Sequence, residues 1–255
     1  MTEVVDYQER GGVAFITLNR PEALNAINND MRRHLPAALD KAAASDAVRC
    51  ILVSGNGDRA FCVGADLKED RLDTAPIAFR QQRRSAHWVA AFDRNPKPIV
   101  AAIRGYCLGG GLEMALACDL RVASTDAIFG FPETQYGIIP AAGGTQRIAP
   151  VIGLGIAMEM VLTGRRLTAE DALACRLVNR VCSPAVLAET AEQLAMEIAS
   201  RPSTATRLAK EAVRYSVFDN LAAGLDREID LASLLMSVDE KSAGLDAFRK
   251  KTEET

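Results

Sequence analysis

The sequence lacks long apolar runs, an excess of positive charge and a secretory leader, and each absence argues against a class of protein. No apolar run approaches the ~20 residues that a helix needs to cross a bilayer, although 49% of the 255 residues are hydrophobic. The formal net charge of -3 is unlike that of general nucleic-acid binders, which usually carry a basic excess. The acidic, polar N-terminus MTEVVDYQERGG does not resemble a secretory signal. We therefore expect a soluble, cytoplasmic globular protein with no membrane or nucleic-acid partner.

Histidine is scarce, and the cysteines show no metal-binding pattern. Thiolate metal sites normally recur at tight spacings, but the six cysteines contain no CxxC pair. The two histidines, His34 and His87, lie far apart in helical patterns, so we interpret them as helix-surface residues. We predict no metal site and interpret the cysteines as reduced core residues, at Cys50, Cys62, Cys107, Cys118, Cys175 and Cys182.

Two common catalytic motifs are also missing. The phosphate-binding P-loop requires the spacing G-x-x-x-x-G-K-[ST], which does not occur in this chain. The G-x-S-x-G turn of α/β-hydrolases is absent as well, which argues against their serine mechanism. Candidate chemistry must therefore come from other residues.

Short apolar runs alternate with amphipathic stretches in the first half of the chain. Such runs are typical of buried strands, and strand–helix alternation favours an α/β fold with a largely parallel sheet. Pro36 lies in the first amphipathic stretch, where it should kink the helix or mark a later start. The predicted strands are 13–18, 49–54, 98–103 and 121–124, and the predicted helices are 29–44 and 76–94.

From about residue 145 the pattern becomes helical. Thr168 and Asp171 have the spacing of a capping box at a helix start. We divide the chain into an α/β core, 1–197, and a C-terminal helical segment, 198–255. Apolar faces in this segment, as in LASLLMSV, usually need something to pack on. After the capping box, helical periodicity covers 184–200, 203–217, 219–235 and 238–250, with breaks at Pro184, Pro202 and near Ser237.

One carboxylate, Glu113, lies in the almost wholly apolar stretch GYCLGGGLEMALACDL (105–120). Burying an ionised carboxylate is costly unless it is paired or protonated. Three glycines before it allow close approach of a ligand to the backbone and leave free N–H groups at a helix start. Such donors suit a developing negative charge. An exposed glutamate favoured by the helix dipole is the alternative.

A second carboxylate, Glu133, follows directly after Pro132 in another apolar, glycine-rich stretch. Two such carboxylates form a plausible acid/base pair, because burial and mutual repulsion push their pKa values apart. The loop RAFCVGADLKED (59–70) offers a backbone N–H at Ala65, which we expect to face the same anion as the N–H of Gly110. Each segment taken singly also fits a plain turn or a helix cap.

Together these segments resemble the enoyl-CoA hydratase/isomerase family, the crotonases. The resemblance covers nearly the whole chain. It rests on ITLNRPEALNA (16–26), AFCVGADLKE (60–69), GYCLGGGLEMALACDLRVAS (105–124), FGFPETQYGIIPAAGGTQR (129–147) and EMVLTGRRLTAEDALACRLVNRV (159–181). It implies an α/β crotonase-like spiral of ββα units, with a C-terminal helical segment that builds a trimer or a dimer of trimers.

The resemblance also implies site residues. The catalytic acids would be Glu113 and Glu133, and the amides of Ala65 and Gly110 would form an oxyanion hole for a thioester enolate. No metal or cofactor is implied, because coenzyme A arrives with the substrate. Arg249 or Lys250 would reach CoA phosphates of a neighbouring subunit. The implied substrate-binding residues are Ala23, Leu24, Ala65, Asp66, Leu67, Lys68, Gly110, Pro132, Gly137 and Ala141.

Keeping both acids favours a 2-enoyl-CoA hydratase, and several alternatives stay open. A methylglutaconyl-CoA-type hydratase would need a pocket cation for a second substrate carboxylate, and a Δ3,Δ2-enoyl-CoA isomerase would use the same glutamates. RNA binding would need a basic helix, but the charges in 28–45 are balanced. A non-catalytic CoA-binding protein would not need both acids. Two positions depart from many hydratases: Ala141 replaces a glycine, and Phe131 replaces a polar residue.

Overall fold

The computed structural model describes residues 3–69, 75–85, 88–217 and 220–237. In these ranges the strands are β1 Val5–Arg10, β2 Val13–Leu18, β3 Cys50–Gly55, β4 Ala60–Cys62, β5 Ile99–Ile103, β6 Tyr106–Leu108, β7 Leu120–Ser124, β8 Ile128–Gly130, β9 Arg166–Thr168 and β10 Arg180–Cys182. The helices are α1 Asn29–Ala44, α2 Pro76–Ser85, α3 Ala90–Asp93, α4 Gly110–Ala117, α5 Gly144–Ile152, α6 Leu154–Thr163, α7 Ala169–Ala174, α8 Leu187–Ala199, α9 Ser203–Tyr215 and α10 Leu221–Leu234. Four 3-10 turns are Pro21–Ala23, Glu133–Tyr136, Pro184–Val186 and Leu235–Ser237.

The strands form two sheets, and from β3 to β8 successive strands alternate between them. Within the described ranges the larger sheet has the order β1-β2-β3-β5-β7-β10, and the smaller has the order β4-β6-β8-β9. Among the paired strands of the described residues, only β1–β2 and β8–β9 are antiparallel. The pairs β3–β4, β5–β6 and β7–β8 each place one strand in each sheet, and each pair is followed by helix. This repeat is the expected spiral of ββα units.

The larger sheet is covered on both faces. One face joins the main core with β4, β6 and α4, and the other packs against α8. Strand β5, with the sequence IVAAI, is buried at all five positions, as expected for a parallel strand covered on both sides. Such strands give the continuous apolar runs that predict strands at 13–18, 49–54, 98–103 and 121–124, and each run corresponds to an observed strand.

The helix predictions are largely confirmed, with two differences. Helix α1 continues through Pro36 without a second start. The predicted helix 76–94 is two helices, α2 and α3. The capping box of Thr168 and Asp171 is present at the start of α7. The predicted boundary at 197/198 lies within α8, whose last residue, Ala199, is buried against the sheet. The division into a core and a C-terminal segment stays a prediction. The predicted helix 238–250 lies outside the described residues.

Candidate active site

The three glycines before Glu113 allow helix α4 to begin in a crowded place. Gly109 has φ 51° and ψ −123°, which is a conformation that side chains oppose. A Cβ on Gly109 would lie 2.8 Å from Oε1 of Glu133, and a Cβ on Gly111 would lie 2.1 Å from the carbonyl oxygen of Cys62. The glycines therefore bring the start of α4 into contact with both the second glutamate and strand β4.

Glu113 is buried, with 4% of its surface exposed, so the alternative of an exposed glutamate is wrong. Its Oε1 accepts hydrogen bonds from the backbone N–H groups of Ala142, at 2.6 Å, and Gly144, at 2.9 Å. Two backbone donors on one carboxylate oxygen fix the direction of the carboxylate and favour its ionised form. Because Ala141 and Ala142 are not among the described residues with positive φ, alanine is accommodated there without left-handed strain.

Glu133 has a different environment. It begins the 3-10 turn after Pro132, and its Oε2 is buried without a hydrogen-bond partner among the described residues. The pKa of Glu133 is raised to about 7, chiefly by burial and partly by the charge of Glu113, against the opposing effect of its own backbone N–H. A carboxyl group with a pKa near neutrality can give up or take a proton at physiological pH.

Two backbone amides lie beside each other opposite the glutamates. Gly64 has φ +91°, and a Cβ there would lie 2.9 Å from the nitrogen of Gly110. The N–H of Ile27 donates to the carbonyl oxygen of Gly64 at 2.7 Å, and the N–H of Asp66 donates to the carbonyl oxygen of Ile27 at 3.1 Å. The N–H of Ala65, which lies between these two bonds, therefore faces away from Ile27. In the part of the chain that the structure describes, no backbone hydrogen bond engages the N–H of Ala65 or Gly110. Two unused donors side by side can bind an oxyanion.

One cavity of about 120 Å³ joins these groups. Both glutamates, Ala65 and Gly110 line it, together with the predicted Leu67, Pro132 and Ala141. The remaining lining residues were not predicted: Ile27, Arg32, Val63, Gly64, Trp88, Gly109, Tyr136, Ile138, Ile139 and Ala142. The wall is mostly apolar, with a few convergent polar groups, as is usual for a small-molecule site.

Comparison with known proteins decides the family. The family description enoyl-CoA hydratase/isomerase matches residues 8–255. The chain belongs to the enoyl-CoA hydratase/isomerase family. It is 39% identical to the 2,3-dehydroadipyl-CoA hydratase of Escherichia coli, covering 97% of this chain and 95% of the relative. It is 33% identical to the short-chain-enoyl-CoA hydratase of Clostridium acetobutylicum, covering 96% and 94%. An enoyl-CoA hydratase crystal structure from Geobacillus kaustophilus superimposes with a TM-score of 0.92 at 38% identity, covering 98% and 97%.

Five residues that the family resemblance implied as substrate contacts do not line this cavity. Leu24 has left-handed φ (53°) and lines a separate recess of about 260 Å³, and Ala23 ends the 3-10 turn before it. Asp66 forms an ion pair with Arg20 at 3.0 Å. The roles of these positions stay predictions, because an acyl-CoA is far longer than its reacting carbons. The other two are Lys68, which is exposed, and Gly137, which closes the 3-10 turn with φ 70°.

Several cavity residues of this family member were not predicted from the sequence. The amides of Ala142 and Gly144 are backbone donors, which have no residue signature, although they lie in the quoted segment PAAGGTQR. Trp88 is the only tryptophan in the chain and is 6% exposed, so its rarity was a usable signal. Arg32 lies in the charge-balanced stretch 28–45, and that pattern does not mark it as a site residue. His87, Arg249 and Lys250 lie outside the described residues.

The remaining sequence predictions concern metals, cysteines and membranes. Four cysteines are buried, whereas Cys175 and Cys182 are partly exposed. His34 is exposed on α1, as predicted. Across the described ranges no group of three His, Cys, Asp or Glu side chains is placed to hold a metal ion. None of the described helices is long and apolar enough to cross a membrane.

Proposed function

We propose that this protein is an enoyl-CoA hydratase, which adds water across the C2=C3 bond of a 2-enoyl-CoA to give a 3-hydroxyacyl-CoA. The observation that carries the proposal is the shared cavity of Glu113 and Glu133 beside the unused amides of Ala65 and Gly110. A carbon–oxygen lyase of this kind needs a base, an acid and a site for negative charge on the thioester oxygen. The relatives named above, a 2,3-dehydroadipyl-CoA and a short-chain-enoyl-CoA hydratase, support the choice.

Glu113 would act as the base. Its Oε1 is fixed by the amides of Ala142 and Gly144, so the carboxylate is directed into the cavity. It would orient a water molecule and remove one proton as the water oxygen bonds to C3. The electron pair of the C2=C3 bond then moves to form the C1–C2 double bond of an enolate, and the thioester oxygen becomes negative. No redox state changes, so we propose that no separate cofactor takes part.

Ala65 and Gly110 would bind that enolate oxygen. Their adjacent N–H groups need no rearrangement when charge develops, and Gly110 also starts helix α4, whose dipole favours a negative charge. Losing one such donor typically costs about 3–4 kcal/mol of barrier. The close approach of the two loops depends on the glycine at 64, where a Cβ would collide with Gly110.

Glu133 would act as the acid. Burial holds its pKa at about 7, so a useful fraction is protonated at neutral pH. It would deliver the proton to C2, which consumes the enolate electron pair and leaves the 3-hydroxyacyl thioester. In the dehydration direction the two glutamates exchange roles.

Crotonyl-CoA provides the first test. Hydration removes the conjugated-thioester absorbance and yields 3-hydroxybutyryl-CoA. We expect turnover by the wild type and by Glu170→Gln, an exposed glutamate in the first turn of α7, and a loss of about 10²–10⁴-fold for Glu113→Gln and Glu133→Gln. Unchanged absorbance with the wild type would reject short-chain hydratase activity. Full activity of Glu133→Gln would reject Glu133 as the acid, whereas CoA binding by the wild type without turnover of any enoyl-CoA would favour a non-catalytic CoA-binding role.

Isomerisation is the second reaction that two glutamates support. A 3-enoyl-CoA would lose a C2 proton and gain one at C4, without water. Supplying a 3-enoyl-CoA and separating the products distinguishes the activities. Direct formation of 3-hydroxyacyl-CoA from the 2-enoyl isomer, faster than isomerisation, supports the hydratase. Isomerisation without hydration would reject the hydratase proposal and favour an isomerase.

Arg32 favours a second candidate substrate class, enoyl-CoAs whose acyl chain carries a carboxylate. Its side chain lines the cavity, is 11% exposed and forms an ion pair with Glu69 at 3.3 Å. A methylglutaconyl-type substrate would need a pocket cation of this kind. The Escherichia coli relative is named for 2,3-dehydroadipyl-CoA. We propose that Arg32 would contact the distal carboxylate, shared with Glu69.

A comparison of crotonyl-CoA with 2,3-dehydroadipyl-CoA tests this substrate class. Arg32→Met should lower kcat/KM for the carboxylated substrate selectively. Arg33→Met is the matched control, because Arg33 lies next in α1, is 72% exposed and pairs with Asp30. Equal losses on both substrates would reject a contact between Arg32 and the acyl carboxylate.

We also propose a homo-oligomer, a trimer or a dimer of trimers. The described part of the C-terminal segment exposes large apolar side chains, which usually pack against something. They include Val213, Val217, Leu221, Leu225, Ile229, Leu234 and Met236. Light scattering on the purified chain should give three or six times 27.4 kDa, and a monomer at micromolar concentration would contradict the proposal.

A further inference from the structure

The turn that holds Glu113, residues 142–144, is also bound by Arg147. Nη1 of Arg147, in the second turn of α5, donates to the carbonyl oxygen of Ala142 at 3.2 Å. A Cβ on Gly143 would lie 1.6 Å from the same Nη1, so the guanidinium covers the space that this glycine leaves open. The turn therefore lies between two side chains of opposite charge: Glu113 binds its inner N–H groups, and Arg147 binds an outer carbonyl.

Arg147 is anchored to a separate element. Its Nη2 donates to both carboxylate oxygens of Asp93, the last residue of α3, at 2.8 and 2.7 Å. The Arg147 side chain is 19% exposed, against 39% for Asp93. A partly exposed ion pair adds little to the free energy of unfolding. Its value here is geometric, because several directed bonds from one planar group fix the position of that group.

The same aspartate also binds the C-terminal helices. Arg214 of α9 donates to Oδ1 of Asp93 at 3.0 Å and to its backbone carbonyl at 3.1 Å. The anchor of Arg147 is thus held by α9 as well as by α3. A role of Arg147 in the active site must be separated experimentally from a role of Asp93 in docking the C-terminal segment.

We propose that Arg147 is a positioning residue for Glu113, an inference that rests on the proposed hydratase function. Arg147 fixes the turn whose N–H groups, at Ala142 and Gly144, orient the carboxylate and favour its ionised form. When the guanidinium is removed, the turn gains freedom and the two donors leave their alignment. Glu113 then orients water less well and is protonated more easily, while the walls that bind the substrate keep their place.

The test uses four variants of the full-length chain and steady-state kinetics with crotonyl-CoA against pH. Arg147→Met removes the guanidinium, and Arg147→Lys keeps the charge without the planar group. Arg94→Met is a matched control, because Arg94 forms an Arg–Asp pair with Asp40 at 2.9 Å on the exposed surface. Arg214→Met removes the hydrogen bonds between Arg214 and Asp93.

For Arg147→Met we expect kcat to fall by about 100-fold, the loss that a misplaced catalytic group produces, with KM changed less than about threefold. The acidic limb of the kcat profile moves to higher pH, and Arg147→Lys restores part of kcat. Arg94→Met and Arg214→Met keep both the rate and the limb. If Arg147→Met lowers only the melting temperature, or if Arg214→Met loses as much kcat, the proposal is overturned.

A second measurement needs no substrate. Amide hydrogen exchange of the segment 140–146 reports the hydrogen bonds of Ala142 and Gly144 directly. We expect faster exchange in Arg147→Met than in the wild type or Arg94→Met, with the rest of the core unchanged. If the wild type does not hydrate any enoyl-CoA, the proposed function fails while this measurement still tests the turn. If the wild type is active and the exchange is unchanged in Arg147→Met, the positioning role of Arg147 is rejected and the proposed function stands.

Discussion

Replacing Glu133 by glutamine should lower activity and, above neutral pH, raise stability. The carboxyl group of Glu133 is partly buried, its Oε2 has no hydrogen-bond partner among the described residues, and Glu113 and Arg32 line the same cavity. Burial raises the pKa of Glu133 from 4.5 to about 7, which means that folding opposes its ionisation. Glutamine keeps the shape of the side chain and removes that opposition, but it cannot donate the proton to C2.

The sign and size of the stability effect follow from that pKa. Below pH 4.5 the carboxyl is neutral in both the folded and the unfolded state, so it does not lower the free energy of unfolding. As pH rises from 4.5 to 7 the carboxyl ionises first in the unfolded chain, so the free energy of unfolding of the wild type falls. This decrease is complete above pH 7. A shift of this size corresponds to about 3 kcal/mol. Since the group is partly exposed, solvent screening reduces the expected loss to about 1–2 kcal/mol.

Denaturant unfolding at about pH 5 and about pH 8.5, on either side of the raised pKa, measures the effect. From the lower to the higher pH, the free energy of unfolding of Glu133→Gln should rise by about 1–2 kcal/mol relative to that of the wild type. Its hydration rate should fall by about 10²–10⁴-fold. The control Glu170→Gln, on the exposed first turn of α7, should show neither change. An equal stability difference at both pH values would refute the raised pKa, and retained activity would refute the assignment of the acid.

Three further predictions use the same geometry. The values of kcat/KM for hydration and for dehydration should both fall above about pH 7, the pKa of Glu133, because both directions start from the free enzyme with one proton on the glutamate pair; values that stay constant through pH 7 would contradict this shared-proton scheme. Gly109→Ala should cost about 100-fold in kcat, since its Cβ would meet Glu133, whereas Gly155→Ala, with open space around it, should keep wild-type kcat. Cys62 and Cys118, whose thiol pKa burial raises to about 12, should react with a thiol reagent only after unfolding, and fast labelling of the native protein would show that the core opens.

The larger sheet was predictable because its central strands are buried on both sides. The runs VAFITL and PIVAAI have no charged position, and an uncharged, β-branched-rich run of this length is typical of a strand covered on both faces. The second sheet was not predictable by the same means. Strands such as Ala60–Cys62, Tyr106–Leu108 and Ile128–Gly130 have three residues each, which is too short for a period of two to emerge beside glycine turns.

The two glutamates were also predictable, because a carboxylate among apolar residues and glycines is costly without a purpose. Their surroundings were not. The donors that hold Glu113 are main-chain N–H groups, which every residue but proline carries, so sequence does not mark them. Arg32 and Trp88 reach the cavity from segments distant along the chain, and only the fold shows which face of each segment meets it.

We propose that the environments of the two glutamates, more than their chemistry, divide the acid and base roles. Two N–H donors on one oxygen stabilise a carboxylate, whereas burial without a partner stabilises a carboxylic acid. Glu113 has the first environment, and Oε2 of Glu133, which has no hydrogen-bond partner among the described residues, has the second. We propose that Glu133 holds the proton that hydration delivers to C2, because its pKa is raised to about 7. Because the donors of Glu113 come from a turn held by Arg147, whereas Glu133 follows Pro132 on another segment, the two groups can be perturbed separately. A variant that loosens the turn should impair the base and leave the acid ready.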